Sequence, residues 1–409
     1  MKIVWFVDNK FRELYGLHDL KKNLSKNNIK LYIFFLPIWK SALDFVNPNI
    51  IIVPNLYRAS CEPIVNYAKK KDIDVFMHSS EGMFYTDEIQ KLKYPDNLIK
   101  KIKKILIWGK LDGKYLIKRG FKDKIVDSGC LKFDERNYLD KNKKKKKKKI
   151  KIIGIPTHLR LITGSGISKN NIPYGIRKNL RQKNFLNLGY LKFEYEYIEL
   201  ISRIIEKIDK KFKIILKVSP FEDPEIYRYA FPELDIHKGN DVRDFLKNVD
   251  VILNVFSSIS VDTLKYDVPI INLSNLVKWD KYVLKNKRFG PNDNSYLSAT
   301  SLGIKVQNLD QLNNLLKKDK NYLLNLCKKK NFFKKANDLA GTFKTLEILT
   351  DLFVNYRKNC KQKPYNYFMF LKYFLVEIKL FFFGRPKPAN FKRWKLSDQR
   401  LLHDFRITK

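Results

Sequence analysis

At 409 residues, with 44% hydrophobic and 14% aromatic side chains, the chain can bury sizeable cores, which excludes global disorder and favours two domains plus a tail. Its net charge of +40 is mostly lysine scattered along the whole length, so a solvated basic surface is the plain reading and charge alone is weak ground for a nucleic-acid partner. An anionic membrane surface or a phosphorylated substrate fits the same charge. Cys61, Cys130, Cys327 and Cys360 form no CxxC pair, which excludes a disulfide framework and a cysteine zinc site and fits a reducing compartment.

Along the chain, the apolar run at 3–7 is too short for a signal-peptide core and reads as a first buried strand. No stretch reaches the roughly 18 uncharged apolar residues of a transmembrane helix. Further strands are expected at 31–35, 50–53, 75–78, 105–108 and 125–126. Helical patterns lie between them at 14–25, 57–70, 98–103 and 109–118. Strands that are apolar on both faces and separated by helices imply a parallel sheet covered on both sides. The first domain is thus set at 1–140.

A run of seven lysines, Lys143 to Lys149, interrupts this pattern. Like charges repel and cannot pack, so 141–149 is expected to be an exposed linker. A second domain follows over 150–320. Its strands are expected at 150–155, 212–218, 249–254 and 269–273, and its helices at 193–208, 224–230, 241–247, 257–266 and 310–316. Residues 163–184 read as a long loop. Residues 321–409 are expected to be helical and to end in a basic aromatic tail. In that tail, 365–383 mixes aromatic rings with lysines, which suits either a membrane headgroup interface or a final helix docked on the protein.

Chemistry is expected where strands end. Asn254-Val-Phe-Ser257-Ser258-Ile-Ser260-Val-Asp262 runs from a buried strand through a tight turn into a helix. Backbone N–H groups and serine hydroxyls there suit an anion, or simply cap the helix. Pro156-Thr157-His158-Leu-Arg160 and Lys217-Val-Ser219-Pro220 end two other strands. Thr157, His158, Arg160 and Lys217 are therefore candidates to converge with Ser257 around one anion. In the first half, His78-Ser-Ser-Glu81-Gly82 follows a strand, making Glu81 and His78 candidate general bases for an acceptor hydroxyl. GxGxxG, P-loop, HExxH and GxSxG motifs are absent, removing the usual support for dehydrogenase, NTPase, zinc-protease and α/β-hydrolase readings. No aromatic-rich RNA-binding signature stands out.

With these motifs in order, the chain resembles bacterial surface-carbohydrate biosynthesis proteins of the GT-B glycosyltransferase fold, related to CDP-glycerol glycerophosphotransferases. The resemblance rests on four places. Asp127-Ser-Gly129-Cys-Leu-Lys-Phe-Asp134 resembles a G-x-P-R-x-D segment, and Pro156-Thr157-His-Leu-Arg160 resembles P-T-x-R. Lys217-Val-Ser219-Pro220 stands where K-x-H-P is expected. The fourth is the run from Asp250 to Asp262 with Pro269-Ile-Ile behind it, similar to a D-x6-S-S-x3-D pattern. Together they cover roughly 125–275. Ser219 replaces the histidine of the pattern, Leu131 the proline and Lys132 the arginine.

The resemblance implies an α/β chain of two Rossmann-like parallel-sheet domains facing a cleft, with a C-terminal helical tail. It implies a nucleotide-sugar or CDP-linked donor held by the second domain, with Ser257, Ser258 and Ser260 on its diphosphate. Asp262 would approach the ribose or orient the helix. Lys217 and Arg160 would offset charge on the departing phosphate. A glycan or lipid-linked acceptor would meet the first domain, with Glu81 as base. No bound metal is implied, in keeping with the lack of a DxD-like motif at a convincing strand end, and no cofactor is expected, the nucleotide-activated donor being a substrate. The implied setting is cytoplasmic, at the inner face of the inner membrane, in capsule, lipopolysaccharide or related synthesis, with 365–409 against the anionic surface. The alternatives are a sugar-nucleotide epimerase of the same fold group and a non-enzymatic nucleic-acid-binding protein.

Overall fold

The computed structural model describes residues 1–7, 14, 16–56, 61–79, 93–134, 149–157, 159, 185–219, 222–237, 242–279, 302–342, 344–358, 360, 363–366 and 368. Glu81, His158, Arg160, the linker residues 141–148 and the tail from 369 lie outside them.

The first half builds a six-stranded sheet, all parallel, in the order β2-β1-β3-β4-β5-β6. The strands are β1 (Lys2–Val7), β2 (Lys30–Phe35), β3 (Ile50–Val53), β4 (Asp74–His78), β5 (Lys104–Ile107) and β6 (Ile125–Asp127). Runs such as Ile50–Val53, β-branched and buried at every position, can only lie in the middle of a layered sheet. Helices α1 (Leu17–Ser25), α2 (Trp39–Val46), α3 (Cys61–Lys70), α4 (Asp96–Ile99) and α5 (Lys110–Lys118) connect them. The helix expected at 98–103 is only the single turn α4, because β5 begins at Lys104 and leaves no room.

The second half repeats the plan with six parallel strands in the order β12-β11-β10-β7-β8-β9. These are β7 (Ile152–Pro156), β8 (Lys213–Lys217), β9 (Asp235–His237), β10 (Val251–Asn254), β11 (Ile270–Asn272) and β12 (Ile304–Lys305). Its helices are α6 (Phe185–Lys207), α7 (Pro224–Ala230), α8 (Val242–Asn248), α9 (Ile259–Lys265), α10 (Leu309–Leu316), α11 (Lys320–Lys329) and α12 (Phe332–Ala340). Two edge strands, β9 and β12, were not expected from the sequence, since three and two residues are too few to show a period.

The chain then crosses back. Helix α13 (Thr345–Arg357) places Leu346, Leu349 and Phe353 in the first domain's core, with Phe353 stacked on Phe76 of β4. The stretch behind it is tied down as well. Tyr365 meets the Tyr32 hydroxyl at 2.6 Å, and the Lys2 ammonium lies 4.0 Å from its ring centroid. Among the described residues, no helix is long and apolar enough to cross a membrane.

The seam between the halves is dense. Segment 130–133 alternates between cores: Leu131 enters the first, while Cys130 and Phe133 join Trp108 in the second. Phe133 and Trp108 meet edge to face at 5.9 Å between centroids. Helix α12 packs against both α5 and α9. Gly341, at φ +76°, passes so close to the Trp108 carbonyl that a Cβ would sit 1.5 Å from its oxygen. Glycine alone fits both that angle and that approach.

Candidate functional site

Strand order itself locates a site. In open parallel sheets, ligands bind beyond the carboxyl ends of the strands where the order reverses. In the second sheet that point falls between β7 and β10, since β8 and β9 continue to one side and β11 and β12 to the other. The register pairs Pro156 with Lys217, and pairs Val251 and Ile252 with Ile153 and Gly154. Carried to the strand ends, it brings Thr157, Lys217 and the Asn254–Ser257 turn to one edge.

Each of those side chains is held firmly. The Thr157 amide donates to the Lys217 carbonyl at 3.0 Å. Its hydroxyl donates to Glu222 Oε2 at 2.6 Å. Glu222 also accepts from the Tyr227 hydroxyl at 2.7 Å and, through Oε1, from the Leu159 amide at 2.7 Å. One buried carboxylate thus fastens both residues flanking position 158. Lys217 is itself buried, its ammonium donating to the Val218 carbonyl at 3.2 Å.

The serine turn is built by Asn254. Its Oδ1 accepts from the Ser257 amide at 2.9 Å, and its Nδ2 donates to the Ser257 carbonyl at 3.0 Å. Ser257 Oγ accepts from the Ile259 amide at 3.3 Å, so Ser257 does the capping for α9. Ser260 is buried, and its hydroxyl donates to the Ser257 carbonyl at 3.3 Å. Ser258 is exposed at the apex. With only seven residues, α9 brings a short macrodipole, so the polar character of this turn comes from its hydroxyls and amides. Asp262, buried in α9, accepts from the Lys132 ammonium at 2.9 Å.

The first sheet's edge is different. His78, ending β4, is 5% exposed, with its ring 5.3 Å from that of Trp5 and its Nε2 3.3 Å from the Gly129 carbonyl. Burial lowers its pKa to about 4, against a smaller raising effect of the Gly129 bond, so the ring is neutral at physiological pH. Beside it, the Trp108 indole donates to the Ser79 carbonyl at 2.7 Å. Lys93 donates to both carboxylate oxygens of Asp112 at 2.9 Å, and both side chains are buried. Glu81, the other candidate base, lies outside the described residues, as does Arg160.

The structure therefore gathers Thr157, Lys217, Ser257, Ser258 and Ser260 at one sheet edge and turns His78 toward the seam. Sequence reasoning missed Glu222, and named Asn254 and Lys132 only as members of motifs, without the bonds they make. It singled out Asp134 only as the end of a motif. In the fold, the Asp134 carboxylate accepts from the Leu346 amide at 2.7 Å, capping the start of α13 where the chain returns to the first domain.

No protein-family model and no curated protein matches the chain. Solved structures do. An S. aureus MnaA–UDP co-structure superposes with a TM-score of 0.55 at 12% identity, over 89% of this chain and 99% of the other. A Methanocaldococcus jannaschii UDP-GlcNAc 2-epimerase in complex with UDP-GlcNAc and UDP gives 0.52 at 15% identity, over 87% and 100%. The wall teichoic acid polymerase TagF with CDPG gives 0.52 at 10% identity, over 88% and 90%. At such identities the likeness is one of fold, two α/β domains with parallel sheets of the GT-B type.

Proposed function

We propose that the chain is an enzyme that uses a nucleotide-activated donor, a transferase moving a glycosyl or glycerophosphate group onto a surface-glycan acceptor. The observation that carries this reading is the meeting of Thr157, Lys217 and the Ser257–Ser260 turn at the strand-order reversal of the second sheet. It is supported by near full-length likeness of fold to structures containing UDP, UDP-GlcNAc and CDPG.

In this reading the exposed Ser258, at the apex of a turn whose Ser257 and Ile259 amides are already bonded within it, binds the donor diphosphate. Lys217, with Arg160 beyond it, offsets charge as the nucleotide phosphate departs. Glu222 keeps the Thr157–Leu159 backbone in place, so the phosphate-facing groups are set before the donor arrives. An acceptor hydroxyl enters from the first domain, with Glu81 as its base; His78, sealed between Trp5 and the Gly129 carbonyl, is closed to it. The basic surface and the segment 365–409 hold the protein against the anionic inner face of the membrane, near a lipid-linked acceptor.

The test is incubation with UDP-, CDP-, GDP- and CMP-linked donors, with and without a glycan acceptor. The reading expects nucleotide release that depends on acceptor and falls in Ser258→Ala. A 2-epimerase, favoured by the same fold likeness, would instead isomerise the donor sugar with no acceptor present. Turnover of none of the donors, with none of them bound, would contradict both.

A further inference from the structure

We propose that Lys132, a residue of the first domain, is a positioning residue for the donor site of the second, acting through Asp262. The inference rests on the functional reading above and adds a residue to it. Asp262 and Ser258 are four apart at the start of α9, so their side chains stand on one helix face about 6 Å apart. A nucleoside diphosphate on the serine turn would therefore lie close to a fixed carboxylate. The Asp262 side chain is 1% exposed, so water does little to screen it. Its charge is met by the Lys132 ammonium at 2.9 Å.

Lys132 is well placed for that task. Its neighbours Leu131 and Phe133 are buried in opposite cores, which fixes the direction in which the lysine leaves the chain. Its ammonium lies 5.1 Å from the Phe133 ring centroid, and that ring in turn packs on Trp108. Asp134, two residues on, is held by the start of α13. The cation is thus carried on a segment clamped between the domains. The second sheet's site is electrostatically complete only while the first domain sits against it.

This arrangement also separates two roles for Asp262. A carboxylate that touched the donor's ribose would be needed for affinity. A carboxylate neutralised by Lys132 is instead a local repulsion held in check. Removing it should then strengthen binding of an anion.

Calorimetric titration of the full chain with UDP and CDP, and ligand-observed NMR with uridine and cytidine, distinguish these roles. Asp262→Asn is expected to tighten diphosphate binding by about threefold, and Lys132→Met to weaken it by about tenfold, both without change for the uncharged nucleosides. Lys132→Arg should restore wild-type affinity, and Asp262→Asn should rescue Lys132→Met. If Lys132→Met does not fold, the rise in Asp262→Asn carries the test. A fall in Asp262→Asn, unchanged binding in Lys132→Met, or equal losses for diphosphate and nucleoside would overturn the inference while leaving the functional reading standing. A wild-type chain that binds no nucleoside diphosphate would overturn both.

Discussion

The two sheets have nearly the same plan and put their carboxyl edges to different use. At the first, the described residues are sealed: His78 and Trp108 are each 5% exposed, and the Lys93–Asp112 pair is closed to water. At the second, polar turns tied down by Asn254 and Glu222 end in an exposed Ser258. The difference follows from what covers each edge. The β4–β5 end of the first lies against the segment 129–134, α12 and the crossing at Gly341; each sheet reverses its strand order once, between β1 and β3 in the first and between β7 and β10 in the second, and at the second reversal Ser258 is exposed. The described part of one edge forms the joint, and the other carries the proposed donor site. Substitutions on the two should therefore fail in different ways.

The largest effect is expected at the joint's buried ion pair. Lys93→Met takes the cation from the buried carboxylate of Asp112 and should cost about 4 kcal/mol, whereas Lys93→Met with Asp112→Leu should recover much of it. Urea unfolding of the single and double variants measures both. Gly341→Ala comes next. Its Cβ meets the Trp108 carbonyl at a positive φ, and a loss of about 3 kcal/mol is expected from strain and overpacking together. Thermal unfolding should show this as reduced stability with nucleotide affinity altered only through the seam.

His78 adds a pH signature to the joint. Its folded pKa is lowered from 6.5 to about 4, so the unfolded chain takes up the proton first. The associated stability is fully present above about pH 6.5 and lost as pH falls toward 4, amounting to about 3 kcal/mol in all. Urea midpoints across that window should fall for the wild type and fall less for His78→Leu. Equal slopes would mean that the ring is wetter than its burial implies. The smallest stability effect is expected on the other edge. Ser258→Ala, at an exposed apex, should leave the unfolding midpoint unchanged and weaken nucleoside diphosphate binding about fivefold.

How much of this was legible in the sequence divides along similar lines. Strands such as 50–53 and 251–254 declared themselves because a strand buried on both faces must be apolar at every position. The serine turn was legible because its polar residues follow such a strand directly. The joint was not. Lys132 and Asp262 are 130 residues apart, and Asp134 and Leu346 are 212 apart, so no local pattern links them. Reading His78 at a strand end located it correctly along the chain, but whether its ring faces a cleft or the Gly129 carbonyl is decided by tertiary packing. Glu222 carries no signal of its own, since a lone glutamate after a strand is ordinarily a surface residue.

The central claim is that nucleotide binds the second edge and not the first. Amide hydrogen exchange of the whole chain, with and without saturating UDP or CDP, tests it directly. The account predicts slowed exchange in peptides covering 155–159 and 254–262, with 74–79 and 104–108 already protected and unchanged. Protection gained along the first sheet's edge, with the serine turn unaffected by bound nucleotide, would contradict it.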